Sequence, residues 1–203
     1  MKLKIWELAL FTAFVLTFLW AALIGQRQAD LSDRLIRLHV VAHSDCMDDQ
    51  AMKLYVRDRI LAEIQPLLNQ AGCRNTAKAR ITENLPQITA TAEHAVANWG
   101  STHPVTANLL IEGFPTRTYA HFTLPAGQYS ALRVDIGEAG GQNWWCLVFP
   151  PLCLEVATAP SDMSAMGLNE DEIALITGGE EGYALRFRTL EVLEGIRARF
   201  GRG

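Results

Sequence analysis

The first pattern along the chain is an unbroken apolar one: Leu8 to Gly25 (LALFTAFVLTFLWAALIG) carries no charge, and Lys2 and Lys4 precede it. A basic start followed by an apolar run is the pattern of an export signal, either cleaved or kept as a membrane anchor. As a helix the run spans roughly 27 Å, just enough for a hydrocarbon core. Leu23-Ile24-Gly25 lacks the small-x-small spacing of a good cleavage site, so the choice between cleaved signal and retained transmembrane helix stays open. Residues 1–25 are therefore expected to be a signal peptide or signal-anchor helix, and 26–203 one extracytoplasmic domain.

Beyond the run the spacing changes repeatedly. Leu35 to Ala42 (LIRLHVVA) reads as a buried strand. Asp45 is placed to cap a helix over 47–69, with Asp48 and Asp49 at its positive end and Leu54, Leu61, Ile64 and Leu68 on one face. Gly72 ends it. Helical spacing returns over 76–99, where Pro86 either kinks one helix or opens a second capped by Asn84. Strands then follow at 105–112, from Gly127 to Ile136, and at 143–149. The last two are predicted to form a hairpin around Gly137, Gly140 and Gly141. Residues 155–182 read as a surface excursion with a short helix near 169–176, and 185–200 as a C-terminal helix. The expected fold class is α+β: a small, mainly antiparallel sheet with helices packed on one face.

Composition narrows the function classes. Of 203 residues, 49% are hydrophobic and 20% charged, which is globular, and the net charge of −4 disfavours a nucleic-acid surface. No Lys or Arg occurs between Arg133 and Arg186, while nine acids do, which suits a basic partner better than phosphate or anionic lipid. The four cysteines form no C-x-x-C pair. Cys146 and Cys153 flank Leu-Val-Phe-Pro-Pro-Leu, and in an exported chain they can form a disulfide if the chain turns at the prolines. No cofactor motif is present. Catalytic candidates are few, since there is no G-x-S-x-G elbow and Cys146 sits in an apolar strand. His39 and His43, four apart with Asp45 just after, give the one metal-like spacing, and a packed, hydrogen-bonded histidine at a strand end explains it as well. No metal or catalytic residue is assigned. An exported envelope hydrolase or metalloenzyme using His39, His43 and Asp45 remains the alternative.

Two segments together carry a resemblance. Arg34 to Asp58 reads RLIRLHVVAHSDCMDDQAMKLYVRD, and Tyr119 to Cys153 reads YAHFTLPAGQYSALRVDIGEAGGQNWWCLVFPPLC. Both resemble stage II sporulation protein R of endospore-forming Firmicutes, and the second segment is the more specific. The resemblance implies a protein made in the forespore and exported into the space between the two sporulating cells. There it would bind the ectodomain or membrane face of a membrane-embedded protease that processes the mother-cell pro-sigma factor. It implies a ligand and not an enzyme, with no cofactor. In the first motif it points to His39, Ser44, Asp45, Asp49 and Gln50. In the second it points to Pro125, Gly127, Tyr129, Asn143, Trp144, Trp145, Cys146, Pro150, Pro151 and Cys153. The family usually has Asn where His43 stands, and small polar residues where Cys46 stands. Trp144 and Trp145 fall on opposite strand faces, so one is expected in the core and the other as a candidate partner contact.

Overall fold

A computed structural model describes residues 10–19, 31–119, 123–150 and 173. Strand β1 (Ile36–Val41) leads to helix α1 (Met47–Asn69), then α2 (Arg74–Glu83) and α3 (Leu85–Asn98). Strand β2 (Val105–Phe114) follows, then a two-stranded ribbon of β3 (Arg117–Thr118) and β4 (Thr123–Leu124). Strands β5 (Gly127–Ile136) and β6 (Asn143–Phe149) complete the described elements. The fold is α+β.

The main sheet has the order β2-β5-β1-β6. β2 pairs with β5 and β1 with β6 in antiparallel fashion, whereas β1 and β5 run parallel. This mixed sheet corrects the expected hairpin: β5 and β6 are not neighbours, because β1 lies between them. The connection 137–142 therefore crosses over the end of β1. Alternating Leu, Val and Ile cannot distinguish pairing with the next strand from pairing with an earlier one.

One sheet face packs against the helices. Ile36, Leu38, Val40, Leu132, Val134, Cys146 and Val148 meet Met52, Val56, Ile60, Ile64, Ile81, Ile88 and Ala92. Each buried aliphatic side chain contributes about 1.5–3 kcal/mol of transfer free energy. The stripe on α1 is rotated from the one predicted. Met52, Val56 and Ile60 are buried, while Leu54 and Leu61 stand at its margin. The break at Asn84 separates α2 from α3, with Pro86 in the first turn of α3, where its missing N–H leaves no intrahelical bond unmade. The Asn84 side chain does not cap α3; its Nδ2 donates to the Arg80 carbonyl at the end of α2 (2.8 Å).

The opposite face is not bare. Leu31, Leu35, Phe114, Leu124, Tyr129, Ala131, Leu147 and Ile173 form a second buried cluster there. β1 is consequently buried at all six positions, including Arg37 and His39. Ile173 is helical and represents the described part of the expected excursion 155–182; the expected C-terminal helix lies outside the described residues.

The N-terminal run is described only at 10–19, which is helical and exposed; residues 1–9 and 20–30 lie outside the described residues. Among the described residues no helix is long and apolar enough to cross a membrane, so a transmembrane helix over 1–25 finds no support here.

Candidate functional site

The crossing of 137–142 over the end of β1 brings the two sequence motifs together. Gly141 N–H donates to the Ala42 carbonyl (3.0 Å) and Gly140 N–H to the His43 carbonyl (3.1 Å). Asp45 accepts the Gln142 N–H at Oδ1 (2.7 Å). Gln50 donates from Nε2 to the Ser44 carbonyl (2.8 Å), and Lys53 donates from Nζ to Gln50 Oε1 (2.6 Å) and to the Gln142 carbonyl (2.8 Å). Lys53 is therefore buried with partners, and burial lowers its pKa. The loops touch so closely that glycine is required twice. Gly137 has φ +61° and lies against the His43 ring, and a Cβ on Gly141 would overlap the Ser44 carbonyl group.

The helix N-terminus is built differently from the expectation. The N-cap of α1 is Cys46, whose Sγ accepts the Asp49 N–H (3.4 Å), because Asp45 is already committed to Gln142. Ser44 Oγ donates to Asp49 Oδ2 (2.5 Å). That hydroxyl bond is the main reason the Asp49 carboxyl titrates below the usual carboxylate range.

His43 stacks on His103, with ring centroids 3.9 Å apart and planes inclined by 22°. His43, Asp49 and His103 each bring a potential ligand atom within 4.8 Å of the others. The geometry nevertheless opposes chelation. Imidazole lone pairs lie in the ring plane, and two nearly parallel rings do not aim them at one point about 2.0–2.1 Å from both nitrogens. His43 Nδ1 also accepts the Glu138 N–H (3.0 Å), which leaves the proton of a neutral ring on Nε2. His103 Nε2 stands 3.7 Å from Asp49 Oδ1.

His39 occupies a separate network on the sheet face away from the helices. Its Nδ1 meets Glu112 Oε2 (2.8 Å) and its Nε2 meets Asn143 Oδ1 (2.8 Å). Arg133 donates from Nη1 to Glu112 Oε1 (2.7 Å) and from Nε to Asp135 (2.9 Å), and these carboxylates raise its pKa, the Asp135 bond most of all. All four strands of the main sheet thus contribute a side chain to one network. His39, His43 and Asp45 do not converge.

Aromatic side chains surround the network. Trp145 and Phe114 pack on His39, and the Arg117 guanidinium lies 4.2 Å above the Trp145 ring. Arg37, fully buried, lies 4.0 Å over Phe114 and 5.1 Å from the Tyr129 ring, and Nη2 donates to Tyr119 Oη (2.9 Å). Among the described residues its Nε and Nη1 meet no acceptor, and desolvation lowers its pKa. Tyr129, also fully buried, donates to the Pro125 carbonyl (2.7 Å). Gly127 opens β5 opposite Phe114.

Trp144 lies on the other face, 36% exposed, beneath the Arg57 guanidinium of α1 at 4.3 Å. Nearby on the surface, Met47 is 90% exposed, and Trp99 packs near Tyr55 and donates from Nε1 to Asp48 Oδ1 (3.1 Å). Cys146 is disulfide-bonded, while Cys46 and Cys73 are free and exposed. Cys153 and Pro151 lie outside the described residues.

His103, Glu112, Arg133, Lys53 and Gln142 were not singled out from sequence. Glu112 and Arg133 carried no usable signal, since Glu112 stands opposite Tyr129 and Arg133 opposite Asn108. His103 carried none, since its partners are remote in the chain.

The family model for stage II sporulation protein R matches residues 32–159. Stage II sporulation protein R of Bacillus subtilis (strain 168) is 34% identical over 123 residues, covering 61% of this chain and 55% of the relative. The match thus spans little more than half of that relative's length. No solved structure matches the chain.

Proposed function

Because the chain belongs to the stage II sporulation protein R family, we propose that it is an exported, non-enzymatic activator of a membrane-embedded protease that processes a mother-cell pro-sigma factor. Export would use the apolar run Leu8 to Gly25, either cleaved or kept as an anchor, and would deliver the domain from the forespore to the intermembrane space. The observation that carries the reading is that the two motifs are joined by two internally hydrogen-bonded networks, a loop unit and a sheet network. Asp45, Gln50, Lys53 and Gln142 satisfy one another, and both His39 nitrogens are held by Glu112 and Asn143. Motif residues spent on each other support a shaped surface rather than bond-making chemistry. The same bonds count against a hydrolase or metalloenzyme built on His39, His43 and Asp45.

The candidate contact lies beside that unit, where Trp144 and Arg57 present a partly exposed aromatic–cation pair. Tryptophan and arginine are the side chains that most often dominate binding energy. To activate, the ligand must bind the protease's active state more tightly than its inactive one. The test is co-expression of the full chain with its cognate protease and pro-sigma substrate in a non-sporulating host. Substrate cleavage that requires the chain and its residues 1–25 supports the proposal. A folded, exported chain beside a competent protease with no cleavage refutes it.

A further inference from the structure

Among the described residues the outer edge of β2 is unpaired, a condition that globular proteins usually avoid. Among the described residues the strand pairs only with β5, through ten consecutive partners from Val105–Ile136 to Phe114–Gly127 with no bulge. Its sequence, VTANLLIEGF, contains no Lys, Arg or Pro and one charge, Glu112. Long, regular edge strands are normally blunted by lysine, proline or a bulge, because their free N–H and C=O groups template another strand. Here none of these devices is present, and two large apolar side chains, Leu110 (36% exposed) and Ile111 (58% exposed), stand at the middle of the edge on opposite faces.

The strand is complementary to itself. In an antiparallel pair of β2 strands with a two-fold axis at Leu110, Leu110 faces Leu110, Leu109 faces Ile111, Asn108 faces Glu112 and Thr106 faces Phe114. Each pair shares a sheet face, as the period of two requires. The lone charge meets an amide donor and not its own copy, so the register places no like charges opposite each other. Leu109 already packs against the helix-side core, so Ile111 of the second copy would extend that core across the interface.

We infer that β2 is a homodimer interface, at which two copies of this chain join edge to edge into one continuous eight-stranded sheet about a two-fold axis at Leu110. A closed, isologous contact of this kind uses both edges up and does not propagate. The side chains at the joint lie outside the hydrogen-bonded loop unit, so dimerisation leaves the Trp144 side of the molecule free.

The experiment uses the full chain in mild detergent, with Cys46→Ser and Cys73→Ser removing the free thiols. Single Leu110→Cys and Thr106→Cys variants are oxidised and run on non-reducing gels, and the wild-type chain is followed by analytical ultracentrifugation. Leu110→Cys should cross-link at least about tenfold faster than Thr106→Cys, whose counterpart is residue 114 and not itself. Ile111→Lys should weaken the wild-type dimer by about tenfold or more, equivalent to about 1.4 kcal/mol. Ile111→Thr, milder for the fold, should weaken it in the same direction. A wild-type chain that stays monomeric with Leu110→Cys no faster than Thr106→Cys overturns the inference. So does association that both Ile111 variants leave intact, or a monomer whose β2 edge is taken by a different protein.

Discussion

Substituting Gly141 with alanine tests whether the two motif loops form one unit. A Cβ there would overlap the carbonyl carbon and oxygen of Ser44, which are backbone atoms and cannot swing aside, and would also press on Gln50 Nε2 at 3.0 Å. Relief requires the 137–142 loop to lift from the end of β1. Three bonds are at stake: Gly141 N–H to Ala42, Gly140 N–H to His43 and Gln142 N–H to Asp45. A net hydrogen bond contributes about 0.5–1.5 kcal/mol, and forcing extra volume into a packed site costs about 1–3 kcal/mol. Partial relaxation trades one cost against the other, so Gly141→Ala should destabilise by about 2–4 kcal/mol. Gly72→Ala is the control. Its Cβ would meet no atom within 4 Å, so the change should be neutral or stabilising by up to about 1 kcal/mol. Urea denaturation followed by tryptophan fluorescence reads both. If Gly141→Ala unfolds within about 0.5 kcal/mol of wild type, the loops are not clamped and the reasoning fails.

Other expectations follow from the same geometry. Trp145→Ala should cost about 2 kcal/mol or more, because the ring packs on His39 and Phe114. Trp144→Ala, which removes a partly exposed ring under Arg57, should leave the urea midpoint nearly unchanged while reducing protease activation. Ser44→Ala should cost about 1 kcal/mol at neutral pH. Asp49 has a depressed folded pKa, so its stabilisation is present above the unfolded carboxylate range and is lost as pH falls through the lower folded value. The gap between Ser44→Ala and wild type should therefore narrow below about pH 4 in denaturation curves; a constant gap contradicts the assignment. The Cys73 thiol, lowered by its bond to the Thr76 hydroxyl, should react with iodoacetamide at a lower pH than an ordinary thiol, as peptide mass spectrometry would show; a midpoint at the usual thiol value counts against it.

Local periodicity made most of the elements legible. The 47–69 helix and the 143–149 strand stand where the spacing of apolar residues placed them, although the helix is capped by Cys46 and not by Asp45. What escaped depended on pairings between distant segments. Placing β1 between β5 and β6 is a choice among strands of similar composition, and nothing local to Gly137, Gly140 or Gly141 separates a hairpin turn from a crossover. The same topology buries Lys53, whose acceptors include a backbone carbonyl 89 positions away. It also decides that Cys46 caps α1, since Gln142 has taken the Asp45 carboxylate. The motif residues themselves were visible in the sequence. Their division into a loop unit around Asp45 and a sheet network around His39 was not, because neighbouring residues of one strand-to-loop segment, such as His39 and His43, reach different partners.

The most direct measurement reconstitutes the cognate protease in liposomes with its pro-sigma substrate on the side where the mother-cell cytoplasm would lie. Purified chain is then added to the opposite side. Cleavage should rise with the chain, should not occur when the protease is omitted, and should respond more weakly to Trp144→Ala without that variant unfolding. Cleavage by the chain alone would make it the enzyme, and no rise with folded wild-type chain beside active protease would remove the activator role.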